Sequence, residues 1–218
     1  MTQVVKLYDK KRDGTNTIDM IFKIQDGNLY IFEFFIGDGY STLFGHTDFS
    51  RQWGDKPVVR IEIIQEDTDM QELMHIDSYD SGHDEYTHFS GKCMNPPLKK
   101  DTPTMYNFRL SGFYVKARIS TNKTEKENKY FRGIGSELLS FILKLIDPSG
   151  GSILGLEAHG STEPILQKKL VDYYKTIGFK TGADLSEIDL EYFSNAICMY
   201  SNFSTLWERT GNSRFISK

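Results

Sequence analysis

The chain has little cysteine and proline and no long apolar run. Cys93 and Cys198 are the only cysteines among 218 residues, too few for a disulfide framework or a four-cysteine zinc site. With 6 prolines, 39% hydrophobic and 26% charged residues, the composition is that of a globular protein rather than a disordered or fibrous one. No segment approaches the roughly 18 apolar residues of a membrane helix, and the N-terminus lacks the apolar core of a secretory signal. We therefore expect a cytoplasmic protein with reduced thiols.

Basic residues are slightly outnumbered by acidic ones, with 26 Lys and Arg against 30 Asp and Glu. The formal net charge is −4, whereas binding to nucleic acid needs a basic face that neutralises phosphates. We expect neither a nucleic-acid nor a membrane partner. Between positions 61 and 91 there is no Lys or Arg but there are nine acids: Glu62, Glu66, Asp67, Asp69, Glu72, Asp77, Asp80, Asp84 and Glu85. A solvated charged face is the favoured interpretation, and an anionic field that attracts a cationic substrate is the alternative.

The first half of the chain is predicted to be rich in strands. The segments TIDMIFKIQ (17–25) and LYIFEFFI (29–36) flank Asp26-Gly27-Asn28, a turn typical of a hairpin. A third strand is expected over 58–64, where β-branched residues are frequent, and a short helix over 70–76. Pro96, Pro97 and Pro103 mark an extended connection between the two halves.

The second half alternates strands and helices, which predicts an α/β arrangement. A strand over 108–120 has apolar residues at alternate positions 113, 115, 117 and 119. The helix expected over 134–146 is apolar except for a narrow stripe of Glu137, Ser140 and Lys144. Further elements are a buried strand over 153–158, a helix with Pro164 in its first turn that ends at Gly178, a strand over 196–200 and a helix around Trp207.

The most informative segment is YFRGIGSELL, residues 130–139. Gly133 and Gly135 precede the predicted helix, where glycines let a ligand approach the backbone and the first free amides form an anion site. A dinucleotide-binding fingerprint would need a third glycine at Leu138, and the Gly-Lys-Ser/Thr of a Walker loop is absent.

Three separated pieces occur in a fixed order: a strand and Arg-Gly-Ile-Gly-Ser-x-Leu-Leu, a strand and a helix ending in Tyr-x-x-x-Gly-Phe, and the apolar strand Ala-Ile-Cys-Met-Tyr. This order resembles the GCN5-related N-acetyltransferase family over about residues 108–201. The resemblance implies a single domain, 1–218, with a mixed, twisted sheet flanked by helices. Residues 106–203 would bind acetyl-CoA, and the divergent residues 1–105 would form the acceptor side.

The resemblance also implies a set of site residues. The diphosphate of acetyl-CoA would lie on the backbone of Tyr130, Phe131, Arg132, Gly133, Ile134, Gly135 and Ser136. Tyr130 stands where the family carries Gln or Arg, and Gln167 where it often carries Asn. The pantetheine arm would enter between splayed parallel strands, 114–119 and 153–158, and a backbone amide near Ala117, Arg118 and Ile119 would polarise the thioester carbonyl.

Acetyl transfer to a primary amine of a small molecule or protein would then proceed by direct attack. Tyr174, four residues before Gly178, occupies the position of the family's acid, which protonates the leaving thiolate. Glu33, Glu62 and Glu157 are candidate bases because each lies in a predicted strand, and Glu157 is preferred because its strand follows the motif helix.

Two other classes of protein remain open. One is a non-catalytic binding or structural protein that keeps the fold, and the other is a nucleotide- or phosphate-binding enzyme that uses the same helix N-terminus. A metal enzyme is disfavoured, because His83 and His88 are five residues apart and would diverge on a helix, whereas zinc motifs place two histidines one turn apart.

Overall fold

The structure is a computed structural model that describes residues 2–10, 17–36, 57–69, 103, 105–115, 133–158, 164–182, 197–210 and 214–217. Its strands are β1 (Thr2–Asp9), β2 (Thr17–Gln25), β3 (Leu29–Ile36), β4 (Val59–Asp69), β5 (Met105–Val115), β6 (Ile153–Ala158), β7 (Lys180–Thr181), β8 (Ile197–Asn202) and β9 (Phe215–Ser217). Its helices are α1 (Ile134–Ile146), α2 (Pro164–Ile177) and α3 (Phe203–Thr210). The strands form one mixed sheet in the order β7-β8-β6-β5-β4-β3-β2-β1-β9, which confirms the predicted mixture of strands and helices.

The predicted hairpin is confirmed, and both of its strands have the predicted bounds. β2 and β3 pair antiparallel with Gln25 opposite Leu29, which leaves Asp26, Gly27 and Asn28 as the turn. Asp26 and Gly27 both adopt positive φ, 53° and 84°, a conformation that Asp and Gly tolerate better than other residues. The local turn signal therefore determines the register of this pair.

The chain divides into two compact units. The first contains Met1–Gln65, Leu110–Gly150 and Thr210–Lys218, and the second contains Glu66–Arg109 and Gly151–Arg209. In the first unit β1 to β4 pair antiparallel in chain order. Phe22, Phe32 and Ile61 share one row across β2, β3 and β4, and the two phenylalanine rings stack with centroids 4.8 Å apart.

A buried arginine connects three elements of the first unit. The Arg214 guanidinium, before β9, donates from Nε to Asp9 Oδ1 (2.9 Å) and from Nη2 to Asp9 Oδ2 (2.7 Å) at the end of β1. Its Nη1 donates to Glu137 Oε2 of α1 at 3.1 Å. The side chains of Arg214 and Asp9 are 1% and 0% exposed, so two carboxylates replace the water that this cation has lost.

This arginine binds one residue of the polar stripe of α1. Glu137 pairs with Arg214, and Ser140 of the same stripe is only 1% exposed. The helix bounds themselves are confirmed at Ile134–Ile146.

The second unit contains α2 and α3 with β6, β7 and β8. β8 pairs antiparallel with both β6 and β7. The ring of Phe203, at the start of α3, packs against Phe108 of β5 with centroids 5.4 Å apart. The buried Ser201 hydroxyl donates to the carbonyl of Gly178 at 3.0 Å, and this bond connects the end of α2 to β8.

Two packing expectations need correction. In β5, which includes the described part of the predicted strand 108–120, the buried side chains are Tyr106, Phe108 and Leu110, and Val115 is 38% exposed. Both faces of β5 therefore make contacts, whereas a period of two predicts only one. In α2, Leu166 and Tyr173 share one apolar side of the helix with Tyr174 and Ile177 by their spacing in the sequence. They are nevertheless 46% and 39% exposed, and the buried residues are Val171, Tyr174 and Ile177.

The strand expected over 58–64 is β4, and those over 153–158 and 196–200 are β6 and β8. The helix around Trp207 is α3. The short helix expected over 70–76 lies outside the described residues. Within the described ranges, no helix is long and apolar enough to cross a bilayer.

We expect Arg214→Met to lower the free energy of unfolding by about 3–5 kcal/mol, because it leaves the Asp9 carboxylate buried without its cation. Urea unfolding monitored by circular dichroism measures this. The control is Lys168→Ala, which removes an exposed ion pair with Asp172 (3.1 Å) in α2 and should cost at most about 0.5 kcal/mol. Equal losses in the two variants would contradict the importance of the buried pair.

Candidate functional site

The glycine turn lies at the N-terminus of α1, as predicted. Gly133 precedes the helix in the left-handed conformation, with φ 81° and ψ −1°. The first helical hydrogen bond runs from Glu137 N to Gly133 O at 3.0 Å, so the amides of Ile134, Gly135 and Ser136 precede the helical ladder. The Ser136 hydroxyl donates to Gly133 O, and no side-chain hydrogen bond caps the helix within the described residues. Among the described residues, the first amides of α1 therefore have no helical acceptor, and they lie at the positive end of its dipole.

The two glycines of this turn have different surroundings. Gly133 is exposed, and a Cβ built on it would have only Ser136 Oγ nearby, at 3.9 Å. A Cβ on Gly135 would lie 2.5 Å from Val115 Cγ2 and 3.2 Å from Phe113 Cζ. Gly135 therefore permits close packing of α1 on β5, and Gly133 is the glycine with open space beside it.

Several predicted cofactor residues lie outside the described ranges: Ala117, Arg118, Ile119, Tyr130, Phe131 and Arg132. Gln167 belongs to α2, but its side chain is not among those described. In the first unit, the structure brings together Gly133, Ile134, Gly135 and Ser136, the last three of them buried.

Tyr174 lies on the buried face of α2 in the second unit. Its side chain is 9% exposed, and its ring meets the rings of Tyr173 and Phe179 edge-on, with centroids 5.5 and 5.6 Å apart. Burial, with a smaller effect of Tyr173, raises the pKa of Tyr174 to about 12. The hydroxyl is therefore protonated at neutral pH and can serve as a proton donor.

Glu157 is exposed on β6, opposite Cys198 of β8. Burial and then the nearby Glu157 charge raise the pKa of the Cys198 thiol to about 12. Because thiols react as thiolates, Cys198 is a packing residue in this setting rather than a nucleophile.

The other candidate bases are engaged in ion pairs. Glu33 accepts from Lys23 at 3.0 Å and from Arg60 at 3.3 Å, and one oxygen of Glu62 accepts from Arg60 at 2.6 Å. In the second unit, Glu66 accepts from Arg109 and from the Tyr106 hydroxyl. Glu62 and Glu66 thus have cationic partners of their own.

Within the described residues, no group of three or more His, Cys, Asp or Glu side chains could hold a metal ion. His83 and His88 fall outside those residues. The chain matches no known protein family, no curated protein and no solved structure.

The pKa values of Cys198 and Tyr174 predict a loss of stability at alkaline pH. An unfolded thiol ionises near pH 9, whereas Cys198 in the folded protein stays protonated to about pH 12. The free energy of unfolding should therefore fall as pH rises from 9 towards 12, by up to about 1.4 kcal/mol per pH unit for this one group. Tyr174 adds a similar decrease above pH 10.

Cys198→Ala removes one of these two contributions. We expect its unfolding free energy to fall less steeply than that of the wild type between pH 9.5 and 11 and in parallel with it between pH 7 and 8.5, as measured by urea unfolding. Parallel curves over the whole range would refute the shifted thiol.

Proposed function

We propose that this chain is a cytoplasmic N-acetyltransferase that transfers an acetyl group from acetyl-CoA to a primary amine. The observation that carries the proposal is the glycine turn at the N-terminus of α1, which no described side chain caps, within the element order β5, α1, β6, α2, β8. That is the order of pieces on which the resemblance to the GCN5-related acetyltransferases rests.

The N-terminus of α1 is suited to a diphosphate. The amides of Ile134, Gly135 and Ser136 precede the helical ladder, and amides at the positive end of a helix dipole bind phosphate groups. Gly133 is exposed, and no described side chain lies closer than 3.9 Å to its Cβ position, so a phosphate has room beside the main chain.

The connection between β5 and β6 is compatible with a pantetheine-binding slot between these two strands. β5 and β6 are neighbours in the sheet, and α1 connects them, as in the helical crossovers that join parallel strands. We propose that the pantetheine arm enters between these two strands.

The proposed reaction needs one proton donor and one proton acceptor. The amine nitrogen bonds to the acetyl carbon, the carbon–sulfur bond breaks, and the leaving sulfur takes its proton from the Tyr174 hydroxyl. A pKa of about 12 keeps that hydroxyl protonated. Because a free thiol has a pKa of about 8.5, transfer of the proton to the thiolate is uphill, and it is completed when the tyrosinate takes a proton from solvent. The amine proton passes to a carboxylate, for which Glu157 is the candidate, or to water.

A non-catalytic protein of the same fold is the alternative, and one observation favours it. The contact of Gly135 with Val115 and Phe113 accounts for the second glycine by packing alone, without any ligand. A chain that retained the fold but had lost its chemistry would keep this glycine for that reason.

The matched variants Gly133→Asp and Gly133→Asn test the diphosphate site. Both side chains tolerate the left-handed conformation and enter open space, but only Asp adds negative charge where the phosphates would lie. We expect CoA to bind the Asp variant at least about tenfold more weakly than the Asn variant, a difference of about 1.4 kcal/mol, by isothermal titration calorimetry. Equal affinities would remove the phosphate site, and no CoA binding by the wild type would favour the non-catalytic alternative.

We expect Tyr174→Phe to lower the turnover rate about 100-fold, the lower range for a general acid, and to leave CoA affinity within about twofold. A panel of primary amines with acetyl-CoA, followed by thiol release, measures the rate. Tyr173→Phe is the control, because this neighbouring tyrosine is 39% exposed and should leave the rate unchanged. Equal rates for the wild type and Tyr174→Phe would make Tyr174 a packing residue.

A further inference from the structure

Glu62, Gly112 and Tyr114 form a compact arrangement in the first unit. A Cβ built on Gly112 of β5 would lie 2.8 Å from Glu62 Oε2 and 2.9 Å from Tyr114 Cε2. The carboxylate of β4 and the tyrosine ring of β5 thus lie together over the bare backbone of Gly112. The Ser111 hydroxyl donates to the Glu62 carbonyl at 3.3 Å and connects the two strands at this place.

The two oxygens of Glu62 differ in their partners. Oε1 accepts from Arg60 Nε at 2.7 Å and from Nη2 at 2.6 Å. Arg60 also donates to Glu33, whose other oxygen accepts from Lys23. Among the described residues, Oε2 has no hydrogen-bond donor. Arg60 therefore holds the carboxylate in place and leaves one oxygen available.

The available oxygen lies beside an exposed aromatic ring. The Tyr114 side chain is 61% exposed, whereas that of Glu62 is 20% exposed. A half-buried carboxylate oxygen next to a tyrosine ring is chemistry that recognises an ammonium group, through a charge-assisted hydrogen bond and a cation–π contact. We propose that Glu62 Oε2 and the Tyr114 ring bind the ammonium group of a primary amine.

The position of this subsite deepens the proposed function, on which it rests. Phe113 and Val115, on the opposite face of the same strand, contact Gly135 at the start of α1. One short segment of β5 thus borders the candidate diphosphate site on one face and the ammonium subsite on the other. Glu62 binds the acceptor here and is a different residue from the candidate base, Glu157.

Substitution of Gly112 tests the proposed ammonium subsite. The atoms nearest to its Cβ position are the ends of two side chains, which rotate at little cost to the fold. Gly112→Ala should therefore leave the thermal midpoint within a few degrees of the wild type while it pushes the carboxylate and the ring out of place. Glu62→Gln removes the charge at the same point. Glu33→Gln is the matched control, because it neutralises the adjacent carboxylate of the same ion-pair network.

The experiment uses the full chain and n-butylammonium chloride as the probe, with n-butanol as its uncharged counterpart, at constant ionic strength. Backbone NMR shifts around Gly112 and Tyr114 measure binding. We expect saturable shifts with n-butylammonium, none with n-butanol, at least tenfold weaker binding in Glu62→Gln and Gly112→Ala, and binding within about twofold of wild type in Glu33→Gln.

Absence of saturable binding by the wild type, or equal binding by wild type and Glu62→Gln, would overturn the subsite. Equal losses in Glu33→Gln and Glu62→Gln would also overturn it, because they would show a response to overall charge. CoA binding by the same samples is measured separately. A chain that binds CoA but not n-butylammonium contradicts only the subsite, and a chain that binds n-butylammonium but not CoA contradicts only the acetyltransferase proposal.

Discussion

The buried guanidinium of Arg214 is the constraint on which the first unit depends. A cation without water is tolerated only where its hydrogen-bond donors meet anionic partners, and here those partners are Asp9 and Glu137. Arg214 and Asp9 are 205 positions apart, so the contact brings the two ends of the described chain together. Glu137 is in the first turn of α1. The same contact therefore anchors the end of the helix that carries the glycine turn.

The last residues of β5 connect the two candidate binding features. Successive side chains of a strand point to opposite faces. Phe113 and Val115 accordingly meet Gly135 of α1, whereas Tyr114 lies beside Glu62. A glycine lies at the contact on each face of β5. Gly135 of α1 leaves space for the Val115 side chain on one face, and Gly112 of β5 leaves space for the Glu62 carboxylate on the other. The apolar alternation at positions 113–119 predicts a single buried face, whereas Tyr106, Phe108 and Leu110, on the other face of the same strand, are buried.

Local signals accounted for much of the secondary structure. The Asp-Gly-Asn turn predicts the hairpin of β2 and β3, and a long apolar run followed by Pro-Ser-Gly-Gly predicts the bounds of α1. Strands β1, β7 and β9 were not predicted. β7 and β9 have two and three residues and depend on pairing with distant strands, and β1 pairs with both β2 and β9. Such pairings leave little trace in a short sequence window.

The amino-acid order alone was enough to locate the glycine turn before α1 and the tyrosine four residues before Gly178, because both depend on neighbours within one or two turns. The partners of these residues depend on the folded chain. Gly135 meets a valine 20 positions away, and Glu62 meets a glycine 50 positions away. No periodicity encodes such distances, since packing of strands and helices decides which side chains meet and which lose water.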